Sequence, residues 1–201
     1  MLIKVCGMRD AENIRALEEQ ARPDLMGFIF WPKSSRYVSE LPAYLPTNCR
    51  RVGVFVDEDI EQVKRTANEY GLYFIQLHGN ESPRYVGQLR EWETIKAFNI
   101  ASADDIEQTK AYEGFADYFL FDTKGKSVGG NGVQFDWDIL QYYKGNTPFL
   151  LSGGIGPEDA ERLRHWHHPK CIGIDINSRF ELEPGTKDVA AITKFAGRLR
   201  F

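Results

Sequence analysis

Short apolar runs alternate with longer amphipathic stretches along the chain. The runs Leu2–Cys6, Leu25–Phe30, Arg51–Val56, Tyr73–His78, Thr94–Phe98, Tyr118–Asp122, Phe149–Ser152 and Cys171–Ile176 are rich in β-branched and aromatic residues and predict strands. Between them, apolar residues recur three and four apart. Ile60, Val63, Ala67 and Tyr70 form one such stripe, and Val189, Ile192, Ala196 and Leu199 another, which predicts helices. Gly71 is a stop signal for the first stripe. Ser82 with Pro83 caps a further helix, and Ser102 with Asp105 opens one that Gly114 closes. Residues 39–46 predict only a short helix, limited by Pro42 and Pro46.

Eight strands alternating with helices leave two architectures, an open doubly wound sheet or a closed barrel. The count of eight favours a single-domain α/β fold, a (β/α)8 TIM barrel over residues 1–201. With 201 residues the chain is shorter than the typical ~250, so its loops must be short. The exception is residues 123–134, rich in Gly, Lys and Ser, which predict a functional lid. Helices cover a barrel's outside, so the more polar face of each strand is assigned to the interior. That rule points Lys4 and Cys6, Gln76 and His78, Lys96 and Phe98, Leu120 and Asp122, and Gly173 and Asp175 inward. Lys4 on the first strand is then expected to pair with Asp175 on the eighth, a contact that requires closure. The same ammonium is expected to help hold a Cys6 thiolate.

Charge and cysteine usage narrow the function. The net charge of -4 comes from interspersed acids and bases, with no basic stripe for a nucleic acid backbone. No run approaches the roughly 18 apolar residues of a membrane span. The first residues enter a strand pattern directly, so no signal peptide is expected. Three widely spaced cysteines, Cys6, Cys49 and Cys171, argue against a disulfide framework or a zinc site. The expectation is a cytoplasmic protein whose partner is a small molecule rather than nucleic acid or membrane.

The chemistry gathers at strand ends. Leu150 and Leu151 run into Ser152-Gly153-Gly154, and Pro157, Glu158 and Asp159 then open a helix. Glycines let backbone N–H groups approach an anion, and a helix start adds partial positive charge. One unit later the eighth strand ends in Asn177-Ser178. Loops after strands seven and eight are the usual phosphate site of such a barrel. Cys6 ends strand one and Asp122 ends strand six, so the two flank those loops across the mouth. One thiol and one carboxyl group so placed suit proton shuttling. His78 ends strand four and is either a structural histidine or a ligand contact. Arg36 in the loop after strand two is either a bidentate carboxylate clamp or a surface charge.

Motifs in order along the whole chain resemble the phosphoribosylanthranilate isomerase family. They are Lys4-Val5-Cys6-Gly7, Gly27-Phe28-Ile29-Phe30 with Ser35-Arg36-Tyr37-Val38, and Gly53-Val54-Phe55-Val56. Gln76-Leu77-His78-Gly79-Asn80-Glu81 and Phe121-Asp122 follow. Gly129-Gly130-Asn131-Gly132 with Phe135-Asp136-Trp137, and Pro184-Gly185-Thr186-Lys187-Asp188, complete the set. The resemblance implies a (β/α)8 barrel of tryptophan biosynthesis that performs an Amadori rearrangement of N-(5-phosphoribosyl)anthranilate without cofactor or metal. It implies Cys6 as general base, Asp122 as general acid and Arg36 as the contact for the anthranilate carboxylate. The Gly153-Gly154 and Asn177-Ser178 loops become the phosphate cradle, and His78 and Asp175 join the substrate-binding set. The implied partner is a phosphorylated small molecule, with the protein a monomer or homodimer. The sequence departs from the family pattern at Ser35, Asn131 and Asn177-Ser178-Arg179. Two rivals stand beside this reading. A related aldose–ketose isomerase of histidine biosynthesis would have Asp where this chain has Cys6, and a phosphosugar-binding barrel would need no acid–base pair.

Overall fold

A computed structural model describes residues 1–123 and 135–200. Eight parallel strands close into a barrel in the order β1-β2-β3-β4-β5-β6-β7-β8. They are β1 (Leu2–Cys6), β2 (Leu25–Ile29), β3 (Arg50–Phe55), β4 (Phe74–Leu77), β5 (Glu93–Ile100), β6 (Tyr118–Thr123), β7 (Phe149–Leu151) and β8 (Cys171–Ile176). The expected strands all form, with ends shifted by a residue or two. The predicted lid lies outside the described residues apart from Thr123.

The helices follow their local signals. α1 (Ala11–Gln20) starts at Asp10, whose side chain accepts from the Asn13 N–H. α2 (Ile60–Glu69) is capped in the same way by Asp59 and buries Val63 and Ala67. α3 (Pro83–Val86) is a single turn behind the Ser82 cap. α4 (Ala103–Ile106) passes into a 3-10 helix over Glu107–Tyr112 instead of running as one α-helix to Gly114. Pro157–Asp159 forms a 3-10 turn that leads into α5 (Ala160–His165). α6 (Val189–Arg200) packs against both α1 and α5, completing the outer ring.

Residues 39–46 form no helix. Pro42 and Pro46 remove two backbone donors from a short stretch. The chain there is held instead by buried Glu18 of α1, whose carboxylate accepts from Tyr44 Oη and from the Thr47 and Asn48 N–H groups at 2.7 and 2.5 Å. A further hairpin follows β8. β9 (Glu181–Glu183) and β10 (Thr186–Lys187) pair antiparallel around Pro184-Gly185.

Two apolar layers result. Leu25, Val52, Phe74, Ile95, Ala97, Leu120 and Leu150 fill the barrel, while Ile3, Val5, Phe28, Phe119 and Phe121 face the helices. β5 corrects the parity assignment. Ile95 and Ala97 point inward and Phe98 stacks outward among Phe119, Phe121 and Tyr112. Lys96 is likewise outside the barrel, although almost fully buried. It is tolerated there because its ammonium reaches the carbonyls of Leu77, Gly79 and Ala97 and the Glu81 carboxylate, at 2.8–3.2 Å. A buried charge so solvated by the protein needs no place in the barrel interior.

At the closure, Lys4 and Asp175 are register partners on β1 and β8. Their Nζ–Oδ1 distance is 2.7 Å, with Lys4 fully buried. The expected ion pair is present.

Candidate active site

The strands are parallel, so all eight deliver their C-terminal ends to one rim. Cys6, Arg36, His78, Asp122, Gly153, Gly154, Asp175, Asn177 and Ser178 all line a single cleft there. Every residue expected at the mouth is therefore brought to it. Trp31, Ile29, Val54, Val56 and Ile155 supply an apolar wall. A larger cavity opens at the opposite end, lined by Leu2, Leu25, Phe74 and Ile172 among others. It holds none of the residues expected at the mouth.

Cys6 is buried beside the Lys4–Asp175 pair. Burial pushes its thiol above the ordinary cysteine range, and the nearby Lys4 ammonium opposes this without overcoming it. Lys4 thus acts in the expected direction, favouring the thiolate, but burial outweighs it. Lys4 itself loses from burial, but Asp175 and Cys6 more than compensate and keep its pKa above the usual lysine value. Asp175 accepts from Lys4 at one oxygen and from Ser152 Oγ at the other, 3.1 Å away. Its carboxylate is therefore engaged by the chain itself at the cleft wall.

Asp122 lies opposite, with β7 and β8 between its strand and β1. One of its oxygens accepts from the Thr123 N–H at 2.8 Å. The other stands 3.5 Å from His78 Nε2, within ion-pair reach but without a hydrogen bond. His78 Nδ1 meets Gln76 Nε2 at 3.1 Å. The Oε1 of Gln76, the Nε2 of His78 and the Oδ1 of Asn99 are buried without hydrogen-bond partners among the described residues. Asn99 is the register partner of Asp122. Buried polar atoms are rarely left unpaired. Two of them, on Gln76 and His78, belong to residues that line the cleft and suit a ligand carrying hydroxyls.

Gly153 and Gly154 both take left-handed backbone, φ +89° and +67°. A Cβ at Gly153 would lie 2.6 Å from the Thr123 nitrogen, so only glycine can make this turn. Across from it, Asn177 leads into a 3-10 turn over Ser178–Phe180. Arg179, in the departure from the family pattern, needs no left-handed conformation, since among the described residues positive φ outside glycine is confined to Arg22 and Asp57. Its guanidinium turns away to pair with Glu158.

Arg36 is neither a free clamp nor a surface charge. Its Nε and Nη2 grip both oxygens of Glu181 at 2.6–3.1 Å. Glu181 also accepts from Lys187 Nζ at 2.5 Å, and Lys187 reaches Asn177 Oδ1 at 2.6 Å. Glu181 escaped the sequence analysis altogether. Lys187 entered it only within the Pro184-Gly185-Thr186-Lys187-Asp188 motif, with no role, and Ser152 and Gln76 were placed without their contacts.

A family model described as N-(5'-phosphoribosyl)anthranilate isomerase matches residues 3–198. A relative of that name from Phocaeicola vulgatus is 51% identical over 202 residues, covering 100% of this chain and 98% of the relative. The crystal structure of phosphoribosyl anthranilate isomerase from Thermus thermophilus superposes with a TM-score of 0.84 at 27% identity, covering 100% and 98% of the two chains. Another isomerase structure, in complex with reduced 1-(o-carboxyphenylamino)-1-deoxyribulose 5-phosphate, gives 0.81 at 29% identity with the same coverage. By sequence over nearly its whole length and by its closed eight-stranded barrel, this chain belongs to the N-(5'-phosphoribosyl)anthranilate isomerase family.

Proposed function

We propose that this chain converts N-(5'-phosphoribosyl)anthranilate to 1-(2-carboxyphenylamino)-1-deoxyribulose 5-phosphate, with Cys6 as general base and Asp122 as general acid. Family membership carries the reaction, an isomerisation in tryptophan biosynthesis. The observation that supports the two roles is their placement. One thiol and one carboxyl group flank the Gly153-Gly154 and Asn177-Ser178 loops on one cleft.

In this reading the phosphate sits on those loops. Their backbone N–H groups and the left-handed glycines suit an anion. Asp122, protonated, donates to the ribose ring oxygen as the C1–O bond breaks, and the anthranilate nitrogen supplies the electron pair for the C=N bond. Cys6, once ionised, takes the C2 proton. The resulting enolamine tautomerises to the ketone. Lys4 and Lys187 are the charges on which a thiolate would lean as it forms. The unpaired atoms of Gln76 and His78 are donors and acceptors for sugar hydroxyls. Asp175 acts from the wall, by holding Lys4 and Ser152.

The protein is proposed to work as one barrel domain over residues 1–201, in the cytoplasm, on a phosphorylated small molecule. Among the described residues no helix is long and apolar enough to cross a membrane. The deciding experiment is turnover of N-(5'-phosphoribosyl)anthranilate by the purified chain, followed by anthranilate fluorescence. Cys6→Ala and Asp122→Ala are each expected to lower kcat by roughly 10²–10⁴-fold with the fold retained. Wild-type kcat in either variant would end that residue's assignment. A chain that binds the substrate without turnover would be a phosphosugar-binding barrel instead.

A further inference from the structure

We propose that Glu181 is a positioning residue for the isomerase site. It grips Arg36 along one edge and so fixes the guanidinium's other edge as the fork for the anthranilate carboxylate of the substrate. The inference rests on the isomerase reading above and adds to it a residue that the sequence left without a role.

Arginine carries five N–H donors in a rigid plane. Glu181 takes the Nε and Nη2 side. Nη1 makes no hydrogen bond among the described residues, and with the second hydrogen of Nη2 it forms a fork at the other edge. One arginine can therefore serve two carboxylates at once, one from the protein and one from the ligand. Arg36 lies on the cleft wall beside Trp31, where an aromatic ring bearing a carboxylate fits chemically.

Glu181 also ties this fork to the rest of the site. Its side chain is 5% exposed and accepts from the Gly185 N–H at 3.1 Å as well as from Lys187. Lys187 holds Asn177 of the loop after β8. These groups converge over Gly7, the residue after Cys6. A Cβ built there would meet Arg36 Cδ at 2.7 Å, Asn177 Oδ1 at 2.9 Å and Lys187 Nζ at 3.3 Å. Gly7 has φ +80°, so no other residue suits the position. The carboxylate thus joins the aromatic-acid end of the cleft, the thiol strand and the phosphate loop.

Positioning, not competition, follows from the charges. Arg36 and Lys187 against Glu181 leave one net positive charge to attract an anion. To displace Glu181, a ligand carboxylate would have to break its bonds to both cations and to the Gly185 N–H together. Without Glu181 the two cations repel, and Arg36 loses its anchor.

The test compares steady-state kinetics of wild type, Glu181→Gln, Arg36→Met and the double variant on N-(5'-phosphoribosyl)anthranilate. Circular dichroism confirms the fold of each. Glu181→Gln is expected to raise KM roughly tenfold, equivalent to about 1.4 kcal/mol, with a smaller change in kcat. In the Arg36→Met background the same substitution is expected to add almost nothing, because Glu181 acts through Arg36. A lower KM in Glu181→Gln would make Glu181 a competitor and overturn the proposal. An unchanged KM, or an additive effect in the double variant, would also overturn it. Should Glu181→Gln fail to fold, Arg36→Lys keeps the charge but loses the fork. It is expected to raise KM with Glu181 intact, and an unchanged value refutes the proposal. Loss of the positioning role alone shows as a raised KM in Arg36→Met beside an unchanged one in Glu181→Gln. Failure of the isomerase reading shows as a wild-type chain without turnover, and removes the proposal with it.

Discussion

At the scale of single residues, the contest at Cys6 sets the chemistry. Desolvation favours the neutral thiol, and Lys4 favours the thiolate; desolvation wins in the free protein. The sign follows directly. A thiol pKa raised above the ordinary value of 9.0 leaves less thiolate at neutral pH and lets it grow as pH rises. The ratio kcat/KM reports ionisations of the free enzyme. It is expected to keep climbing on the alkaline side instead of levelling near neutrality. A profile already flat by neutral pH would mean that Lys4 holds a preformed thiolate. Residue types and spacing made Cys6 and Asp122 legible as a thiol and a carboxyl group on one cleft. The protonation of Cys6 was not legible, because burial depends on residues far away in the chain.

At the scale of elements, β5 is instructive. Lys96 on an alternating strand reads as interior by polarity alone. In the fold it sits on the outer face and collects two carbonyls and a carboxylate where the chain leaves β4, and the Ala97 carbonyl of its own strand. It thereby clamps the Leu77-His78-Gly79 turn that presents His78 to the cleft. Lys96→Met removes the partner of buried Glu81. It is expected to cost roughly 3–5 kcal/mol in urea unfolding, as removal of one member of a buried pair does. A midpoint unchanged from wild type would show that the clamp contributes nothing. The β9–β10 hairpin escaped notice for a different reason. Its strands are two and three residues long, too short for period-two alternation to stand out. The Pro184-Gly185-Thr186-Lys187-Asp188 motif was visible, but a motif alone does not say that Glu181 will face Arg36.

At the scale of the whole molecule, closure is the decisive event. Lys4 and Asp175 meet only because β1 pairs with β8. Asp175→Asn leaves a fully buried ammonium without its counter-charge, at an expected cost of roughly 3–5 kcal/mol in denaturant unfolding. The double variant Lys4→Met/Asp175→Leu is expected to recover much of that loss, since well-packed apolar pairs often replace buried ion pairs without penalty. If Asp175→Asn unfolded at the wild-type midpoint, the pair would not be holding the seam.

The sequence by itself determined the eight strands, the helix starts at Ser82, Ser102 and Pro157, and the inward faces of β1, β4, β6 and β8. It also placed Cys6, Asp122 and the two loops between them on one rim, because parallel strands deliver their ends to the same side. These are local properties, written in periodicity and in capping or turn residues. The tertiary structure alone decided which charge meets which. Arg36 and Glu181 are 145 positions apart, and nothing in either neighbourhood names the other. It likewise decided the outward turn of Lys96 and the burial that pushes the Cys6 thiol up. Local pattern records which residues avoid water. Which partner satisfies a buried charge is settled only when the barrel closes and distant groups compete for the same few ångströms.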